Sequence, residues 1–355
     1  MTHLERIREK LTEADALLIT EEKNQRWAGG FAFTDGYVLV SREKAWLLTD
    51  PRYTEAAEAS VGPDVTVLRF DSTHPKLPLL KRILEEEKVE RLAAEDRHLS
   101  YAAFRMLEQQ LGRTLLPAGD LLPALRASKD EEELRLMREA QAIADKALEE
   151  TLPYIRAGMS EKEVAAELVY RMLRNGSEKN SFDPIVVTGQ NSSLPHGVPG
   201  DRLLREGDFL TIDFGCVYGG YCSDTTRTFA VGSATEEMKN LYALVLEAQL
   251  AGIRAARSGI SGKEIDEAAR KVIRDAGFGD FFGHGFGHSL GLDIHEQPVL
   301  NQRGERLMPD GAVVSAEPGI YLPGRFGLRI EDVMILRSDG SEVITKSPKD
   351  RLIVL

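Results

Sequence analysis

Two segments in the second half of the chain share one pattern, and this apparent duplication constrains the fold more than any other feature. The segments are AGMSEKEVAAELVYRMLRNG, which begins at Ala157, and SGISGKEIDEAARKVIRDAG, which begins at Ser258, an offset of 101 residues. Each contains a capping box, opened by Ser160 or by Ser261, then a helical pattern and a terminal glycine. Another long helix is predicted before each copy, and strands that carry acidic residues follow each copy.

The same offset relates residues that can carry chemistry. It moves His196 close to His295, and Asp213 close to Glu317. We therefore predict an α+β domain with a pseudo-twofold arrangement, in which each half supplies helices and an antiparallel pair of strands. A site formed by these residues would lie between the two halves.

Four carboxylates and one imidazole make a complete donor set for two divalent metal ions that share bridging oxygens. They are Asp213, Asp224, His288, Glu317 and Glu331, in segments rich in glycine and β-forming residues. The carboxylates carry about −4 and two dications carry about +4. This balance matters because unpaired carboxylates clustered away from water are very costly.

The first two acids flank a predicted hairpin with the two-residue loop Gly219-Gly220. In the register that such a loop sets, Asp224 lies opposite Gly215 and is a diagonal neighbour of Asp213 on the same face. We expect Gly215 to leave room where the ions would lie.

The second pair, Glu317 and Glu331, flanks a Pro323-Gly324 turn signal. Their even separation places both acids on one face, together with Arg329. The apolar neighbours VVSA and VMIL predict burial, and a buried glutamate needs a cation or a hydrogen-bond donor.

Histidines are concentrated in two glycine-containing segments, NSSLPHG and GHGFGHSLGLDIHEQP. One imidazole can bind a metal while others act on a substrate. A glycine-rich phosphate loop is the competing interpretation, and the lack of a lysine in a G-x-x-x-x-G-K pattern argues against it. The four histidines are His196, His284, His288 and His295.

Residues 1–125 alternate helix-like and strand-like patterns, which predicts a small α/β domain. A second domain over 126–355 would begin with a helix capped by Ser128 and Glu131. In the first domain, helices are predicted over 2–14, 51–60, 76–88 and 100–112, and strands over 16–20, 37–41, 45–49 and 65–70.

The bulk properties fit a soluble globular protein of two domains, at 355 residues with 42% hydrophobic content. The net charge of −12 argues against nucleic acid and anionic membranes as partners. Cys216 and Cys222 are expected to be buried thiols on opposite strand faces, not a disulfide. A charged N-terminal segment without a signal-peptide pattern predicts a cytoplasmic protein.

The chain resembles the metallopeptidase family with the pita-bread fold, which includes methionyl aminopeptidases, prolidases and X-Pro aminopeptidases. The segments that carry this resemblance are TIDFG with SDTTRTF, GHSLGLDIHE, EPGIY and GLRIED. The first domain, with WAGGF and LLTDPRYTEAA, resembles the extra N-terminal domain of the X-Pro branch. The resemblance covers nearly the whole chain.

This resemblance implies a role for each of the five ligands. Asp213 would chelate one ion, Asp224 and Glu331 would bridge both, and His288 and Glu317 would complete the second. The ions would be two divalent cations that activate a water molecule, Mn²⁺ first, with Co²⁺, Zn²⁺ or Fe²⁺ as alternatives.

The resemblance also implies roles on the substrate. Glu317 would shuttle a proton to the departing amine, and His196 and His295 would bind the scissile carbonyl or the leaving nitrogen. His284 and Arg329 would support the metal site or bind substrate. The apolar pocket for the proline ring would come from Phe182 and Tyr221, with Tyr218 and Phe286 as further candidates.

The implied activity is metal-dependent hydrolysis of Xaa-Pro bonds at the N-terminus of proline-containing di- or oligopeptides, most simply as an Xaa-Pro dipeptidase that forms a homodimer. The alternatives are an X-Pro aminopeptidase acting on longer peptides, a methionyl aminopeptidase, and a non-catalytic binding protein of the same fold. Some dipeptidases of this group carry an arginine that meets the dipeptide carboxylate, where this chain has Val299. Arg329, Arg303, Arg26 or Arg42 could substitute.

Overall fold

A six-stranded sheet organises the first part of the chain. The computed structural model describes all 355 residues and divides them into two units, Met1–Leu125 and Arg126–Leu355. The strands of the first unit are β1 (Ala16–Ile19), β2 (Gly36–Ser41), β3 (Ala45–Thr49), β4 (Val65–Arg69), β5 (Leu92–Ala94) and β6 (Leu115–Pro117). Its helices are α1 (His3–Lys10), α2 (Glu22–Gly29), α3 (Thr54–Ser60), α4 (Lys76–Glu86), α5 (Tyr101–Leu111) and α6 (Leu121–Arg126).

The strand order is β4-β3-β2-β1-β5-β6, with β1 antiparallel to β2 and parallel to β5. The four predicted strands and four predicted helices of this unit are confirmed, with small differences at their ends. Strands β5 and β6 and helices α6 and α2 were not predicted. No side chain caps the first turn of α2. It ends at Gly30, whose φ of 76° requires a left-handed conformation that glycine adopts without strain.

The second unit contains four long helices and the strands that carry the predicted ligands. Its helices are α7 (Glu131–Thr151), α8 (Glu161–Arg174), α9 (Glu236–Ala255) and α10 (Gly262–Asp275). Its strands are β7 (Lys179–Asn180), β8 (Ile185–Thr188), β9 (Phe209–Phe214), β10 (Cys216–Tyr218), β11 (Tyr221–Cys222), β12 (Thr225–Ala230), β13 (Gly287–Ser289), β14 (Glu296–Leu300), β15 (Val313–Ala316), β16 (Gly319–Leu322), β17 (Phe326–Arg329), β18 (Asp332–Arg337) and β19 (Gly340–Val343). Three short 3-10 turns cover 152–154, 189–193 and 279–281.

The predicted duplication is confirmed by the strand pairing. In one half β9 lies between β8 and β12, and in the other β15 lies between β13 and β18, with all four pairings antiparallel. The capping boxes at Ser160 and Ser261 are present, and each serine also forms an isolated β-bridge to a residue later in the chain, Ser160 to Leu203 and Ser261 to Leu307. The two halves therefore repeat the same order of helices, bridge and strands.

The cap of α7 differs from the prediction. Asp130 caps this helix with Glu133 in the third position, and Ser128 instead donates to the carbonyl of Asp310 at 2.7 Å. The sequence SKDEEE satisfies the capping pattern in two registers, and the structure uses the aspartate, which is as good an N-cap as serine. None of the helices combines the length and the apolar composition that a membrane-spanning helix requires.

Candidate metal centre

The hairpin that carries the first two acids has the predicted register. Thr226 pairs with Asp213, and Val217 pairs with Cys222 beyond it, so one register runs through both ladders. Asp224 therefore lies across from Gly215 and diagonal to Asp213, as a two-residue Gly-Gly loop predicts. Both aspartates are buried, although carboxylates are rarely buried without a partner.

Gly215 has a different purpose from the one expected. A Cβ at this position would lie 2.0 Å from the carbonyl oxygen of Ser223 and 2.3 Å from the hydroxyl of Ser181. The expectation that Gly215 leaves room for ions is therefore wrong. The glycine allows neighbouring backbone to approach closely where the hairpin passes from one sheet to the next.

The two glutamates lie in the other half, at the break between the β15–β18 pairing and the β16–β17 pairing. Ala316 pairs with Asp332 on one side of the break and Gly319 pairs with Arg329 on the other, which places Glu317 across from Glu331. At the break each glutamate turns its backbone N–H to another strand. Glu317 donates to Phe286 at 2.7 Å and Glu331 donates to Thr226 at 3.0 Å. The bond to Thr226 connects the two hairpins, and the bond to Phe286 connects the second hairpin to the segment that carries His288.

His288 completes the cluster. Its Nε2 lies 3.5 Å from Asp224 Oδ2 and 3.4 Å from Glu317 Oε1. Ligand atoms of Asp224, His288 and Glu331 all lie within 4.8 Å of one another. The Nδ1 atom lies 3.2 Å from the carbonyl of Ser289, which leaves Nε2 as the atom directed at the acids.

Hydroxyl groups orient the two glutamates. Ser315 donates to Glu317 Oε1 at 3.1 Å, and Thr226 donates to Glu331 Oε2 at 2.7 Å. Each carboxylate therefore has one oxygen held by the protein and another free to bind a cation. Such supporting hydrogen bonds are a regular feature of protein metal sites.

Burial disfavours negative charge on the acids of this cluster. It raises the pKa of Asp224, Glu317 and Glu331, and the neighbouring acids raise the pKa of Asp224 and Glu331 further. Burial also lowers the pKa of His288, so its imidazole is neutral and able to donate an electron pair. Acids in this arrangement ionise together only when cations lie among them.

The environment of the Asp213 carboxylate fits a ligand of a cation. One oxygen, Oδ1, is buried and has no hydrogen-bond partner, whereas Oδ2 accepts from the guanidinium of Arg329. A buried carboxylate oxygen without a partner is costly unless an ion binds it. The donor set and this orphaned oxygen together fit divalent cations.

Arg329 is committed to the protein. Besides Asp213, it donates to Thr226 Oγ1 at 3.0 Å, to the hydroxyl of Tyr321 at 2.6 Å and to the carbonyl of Pro195 at 3.3 Å. Its side chain is only 4% exposed. Arg329 thus orients Asp213 and has no free face to offer a substrate.

His284 is linked to the same network. Its Nε2 lies 3.0 Å from the Tyr321 hydroxyl and its Nδ1 lies 2.9 Å from the carbonyl of Gly285. Nδ1 must donate to that carbonyl, so Nε2 accepts from Tyr321 in a neutral ring. Burial lowers the pKa of His284, in agreement with the neutral form.

A cavity of about 530 Å³ opens onto the cluster. His196 and His295 line it, and both side chains are exposed. The His295 ring lies edge-on to that of His288, with centroids 4.5 Å apart. Burial and the neighbouring His288 lower the pKa of His295. All five predicted ligands, His284, Arg329 and Phe182 also line this cavity.

Three of the four predicted aromatic pocket residues do not line the cavity. Tyr221 is buried with its hydroxyl donating to Glu133 at 2.8 Å, so its assignment as a substrate-binding residue is corrected. Phe286 is fully buried in the core, and Tyr218 packs against core residues of its own half. Only Phe182 remains in a position to meet a proline ring.

The segment that carries His295 is anchored by a buried ion cluster. Glu296 accepts from Lys129 Nζ at 3.0 Å and from Arg126, which also pairs with Asp293 at 2.6 Å. The side chains of Lys129 and Glu296 are 1% and 8% exposed. Burial opposes ionisation of Glu296, but the two cations outweigh it and lower its pKa to about 2.

Two residues of this site were not predicted from the sequence. Tyr321 shares a strand face with Glu317, and the period-2 pattern of EPGIY could have identified it. Asp183 also lines the cavity, and no pattern in SFDPIV distinguishes it from an ordinary surface acid.

Comparison with known proteins agrees with this geometry. The model of "Metallopeptidase family M24" matches residues 135–338, and that of the "Creatinase/Prolidase N-terminal domain" matches residues 3–128. The chain is 36% identical to the Xaa-Pro dipeptidase of Pyrococcus horikoshii over 95% of its own length and 94% of that protein.

Two solved structures superpose on nearly the whole chain. An Xaa-Pro dipeptidase from Bacillus anthracis gives a TM-score of 0.95 at 40% identity and covers 99% of both chains. The X-Pro aminopeptidase from Thermotoga maritima gives a TM-score of 0.92 at 36% identity, over 98% of this chain and 99% of that one. The chain therefore belongs to metallopeptidase family M24, with the pita-bread fold and an N-terminal creatinase/prolidase domain.

Proposed function

We propose that the protein is an Xaa-Pro dipeptidase, which hydrolyses the bond between an N-terminal residue and proline with the help of two divalent metal ions. The observation that carries this proposal is the five-residue cluster, with Asp213, Asp224 and Glu331 buried, at the floor of a cavity lined by His196 and His295. The names of the relatives support the substrate class, since the similar P. horikoshii and B. anthracis proteins are both called Xaa-Pro dipeptidases.

We infer that Asp213, Asp224, His288, Glu317 and Glu331 hold the ions, which fits the orphaned oxygen of Asp213 and the shared location of the acids. When bound, the ions supply Lewis-acid chemistry, which acidifies water and polarises a carbonyl group. The oxygen-rich donor set favours Mn²⁺ as the physiological ion, with Co²⁺, Zn²⁺ and Fe²⁺ as alternatives.

The protein side chains would handle protons and charge. Glu317 lines the cavity with one oxygen held by Ser315, so its carboxylate is placed to take a proton and then deliver it to the leaving nitrogen. An Xaa-Pro bond has a tertiary amide nitrogen that carries no hydrogen, so proton delivery is essential. His196 and His295 lie on the cavity wall, where they can bind the scissile carbonyl or the leaving nitrogen.

A second candidate, an X-Pro aminopeptidase acting on longer peptides, is favoured by one feature of the cavity. The only arginine that lines the cavity is Arg329, which donates hydrogen bonds to Asp213, Tyr321 and Pro195. No lysine lines the cavity. The position where some dipeptidases bind the substrate carboxylate is Val299, which also lines the cavity. A peptide that continues beyond proline would bring no carboxylate to this point.

Substrate length separates these candidates. The Mn²⁺-loaded protein is incubated with Ala-Pro and with Ala-Pro-Ala, and release of alanine is followed by chromatography. Hydrolysis confined to Ala-Pro supports the dipeptidase, whereas preference for Ala-Pro-Ala supports the aminopeptidase. Cleavage of Met-Ala-Ser instead would identify a methionyl aminopeptidase. If none of these peptides is hydrolysed, the result supports a non-catalytic binding protein.

A variant tests the assigned chemistry. Glu317→Gln removes the proton carrier and one ligand charge while its partner Ser315 can still reach the side chain. We expect the fold to be retained and turnover to fall by at least about a hundredfold. Unchanged turnover would exclude Glu317 from the reaction.

A homodimer is also proposed, and light scattering of the purified protein tests it.

A further inference from the structure

The cavity lining contains one carboxylate outside the metal cluster. Asp183 lies in the segment between β7 and β8, is exposed, and lines the cavity. It precedes Ile185 by two residues, and Ile185 pairs directly with Asp213. At about 3.3 Å per extended residue, the Cα atom of Asp183 lies no more than about 7 Å from that of Ile185. A single amino-acid residue bound at the cluster would span this length.

Asp183 has no structural partner. Its carboxylate makes no hydrogen bond and no ion pair in the structure, and its neighbours on the cavity wall include Phe182, Pro184 and Ile185. Because Asp183 is exposed and makes no bond to the protein, its carboxylate is free to meet a group that enters the cavity.

The charges of the lining favour a cationic group. If the four ligand acids, at about −4, are balanced by two dications, Asp183 becomes the negative charge that the cavity offers to a substrate. Arg329, the one arginine of the lining, is only 4% exposed and is bonded to Asp213, so its guanidinium is not available to a substrate. A peptide that is cleaved after its N-terminal residue carries a cation in that residue. The cation is the free α-ammonium group and sometimes also a cationic side chain.

We propose that Asp183 determines specificity by binding an ammonium group of the residue that precedes proline. The inference rests on the proposed Xaa-Pro peptidase function and names a recognition residue for it. The ammonium group comes from one of two sources, the α-amino group or a lysine side chain. Both have the same chemistry, and a charge-assisted hydrogen bond to either would be lost when Asp183 is neutralised.

The test uses Asp183→Asn, with Asp339→Asn as a control that removes an exposed charge from a surface turn outside the cavity. Lys-Pro and norleucyl-Pro differ only in the side-chain charge, and their kcat/KM values are compared. Ala-Pro and propionyl-Pro differ only in the α-amino group. For this pair, the KM of Ala-Pro is compared with the inhibition constant of propionyl-Pro.

The outcomes identify the source. A loss of about tenfold in kcat/KM for Lys-Pro, without a loss for norleucyl-Pro, assigns the side chain. A similar loss for every substrate with a free amine, with unchanged inhibition by propionyl-Pro, assigns the α-amino group. Equal effects on all ligands, or no effect beyond that of Asp339→Asn, would overturn the assignment of Asp183. If the unmodified protein cleaves no Xaa-Pro peptide, the proposed function itself fails and this inference fails with it.

Discussion

Replacing Glu296 by glutamine removes the only buried negative charge that faces both Lys129 and Arg126. The pKa of Glu296 falls from an ordinary value of 4.5 to about 2, because the two cations outweigh the effect of burial. A shift of about 2.5 units corresponds to a contribution of about 3 kcal/mol to the free energy of unfolding. At pH 7 we expect Glu296→Gln to lower that free energy by about this amount.

The contribution of Glu296 depends on pH in a direction that the structure fixes. Because its folded-state pKa lies below the ordinary value, the ion pair is fully stabilising above pH 4.5 and is lost as the pH falls toward about 2. The difference between the unmodified protein and the variant should therefore shrink to about half by pH 3. Glutamine has no titratable group, so the pH dependence that remains in the variant comes from other residues and serves as the baseline.

The assay is urea unfolding of the metal-free protein between pH 7 and pH 3, followed by circular dichroism. Glu132→Gln is the matched control, because Glu132 also pairs with an arginine near the start of α7 but its side chain is 67% exposed. That change should leave the free energy of unfolding nearly unaltered. A loss below about 1 kcal/mol for Glu296→Gln at pH 7, or a loss independent of pH, would refute the reasoning.

Two further substitutions test the packing around the site. Gly215→Ala should lower the free energy of unfolding by at least about 3 kcal/mol, because its Cβ would meet the Ser223 carbonyl at 2.0 Å. Gly283→Ala, with nothing within 4 Å, should change it by less than about 0.5 kcal/mol, and equal effects would contradict the close approach. Tyr221→Phe removes the hydroxyl that binds Glu133 and should cost about 1–3 kcal/mol in urea unfolding. The kcat/KM for Ala-Pro should stay unchanged, and a large fall would return Tyr221 to the substrate site.

The sequence was sufficient to predict the relation between the acids of each hairpin. Side chains alternate along a strand and a two-residue loop sets the register, so the diagonal placement of Asp213 and Asp224 follows from the Gly-Gly dipeptide. The even separation of Glu317 and Glu331 predicted a shared face, and the strand pairing places these acids across from each other. These relations are local, and local periodicity determines them.

Contacts between distant segments could not be predicted in this way. The bond between His284 and Tyr321, and the ion pairs of Glu296 with Arg126 and Lys129, join residues that no local pattern relates. They depend on how sheets and helices pack, which tertiary structure alone determines.

The role of Gly215 could not be predicted from its residue type. A glycine that makes room for a ligand and a glycine that lets two backbones approach look the same in a sequence. Gly215 was therefore assigned the wrong purpose, although its position opposite Asp224 was predicted correctly.

The central claim is that five residues, Asp213, Asp224, His288, Glu317 and Glu331, hold two divalent ions in one cluster. Equilibrium dialysis of the metal-free protein against Mn²⁺, with the bound metal measured by mass spectrometry, tests this claim most directly. We predict two tightly bound ions per chain, and fewer than two in Asp224→Asn, which removes one shared carboxylate charge. Saturation of the unmodified protein at one ion or none, or two ions retained by the variant with unchanged affinity, would contradict the account.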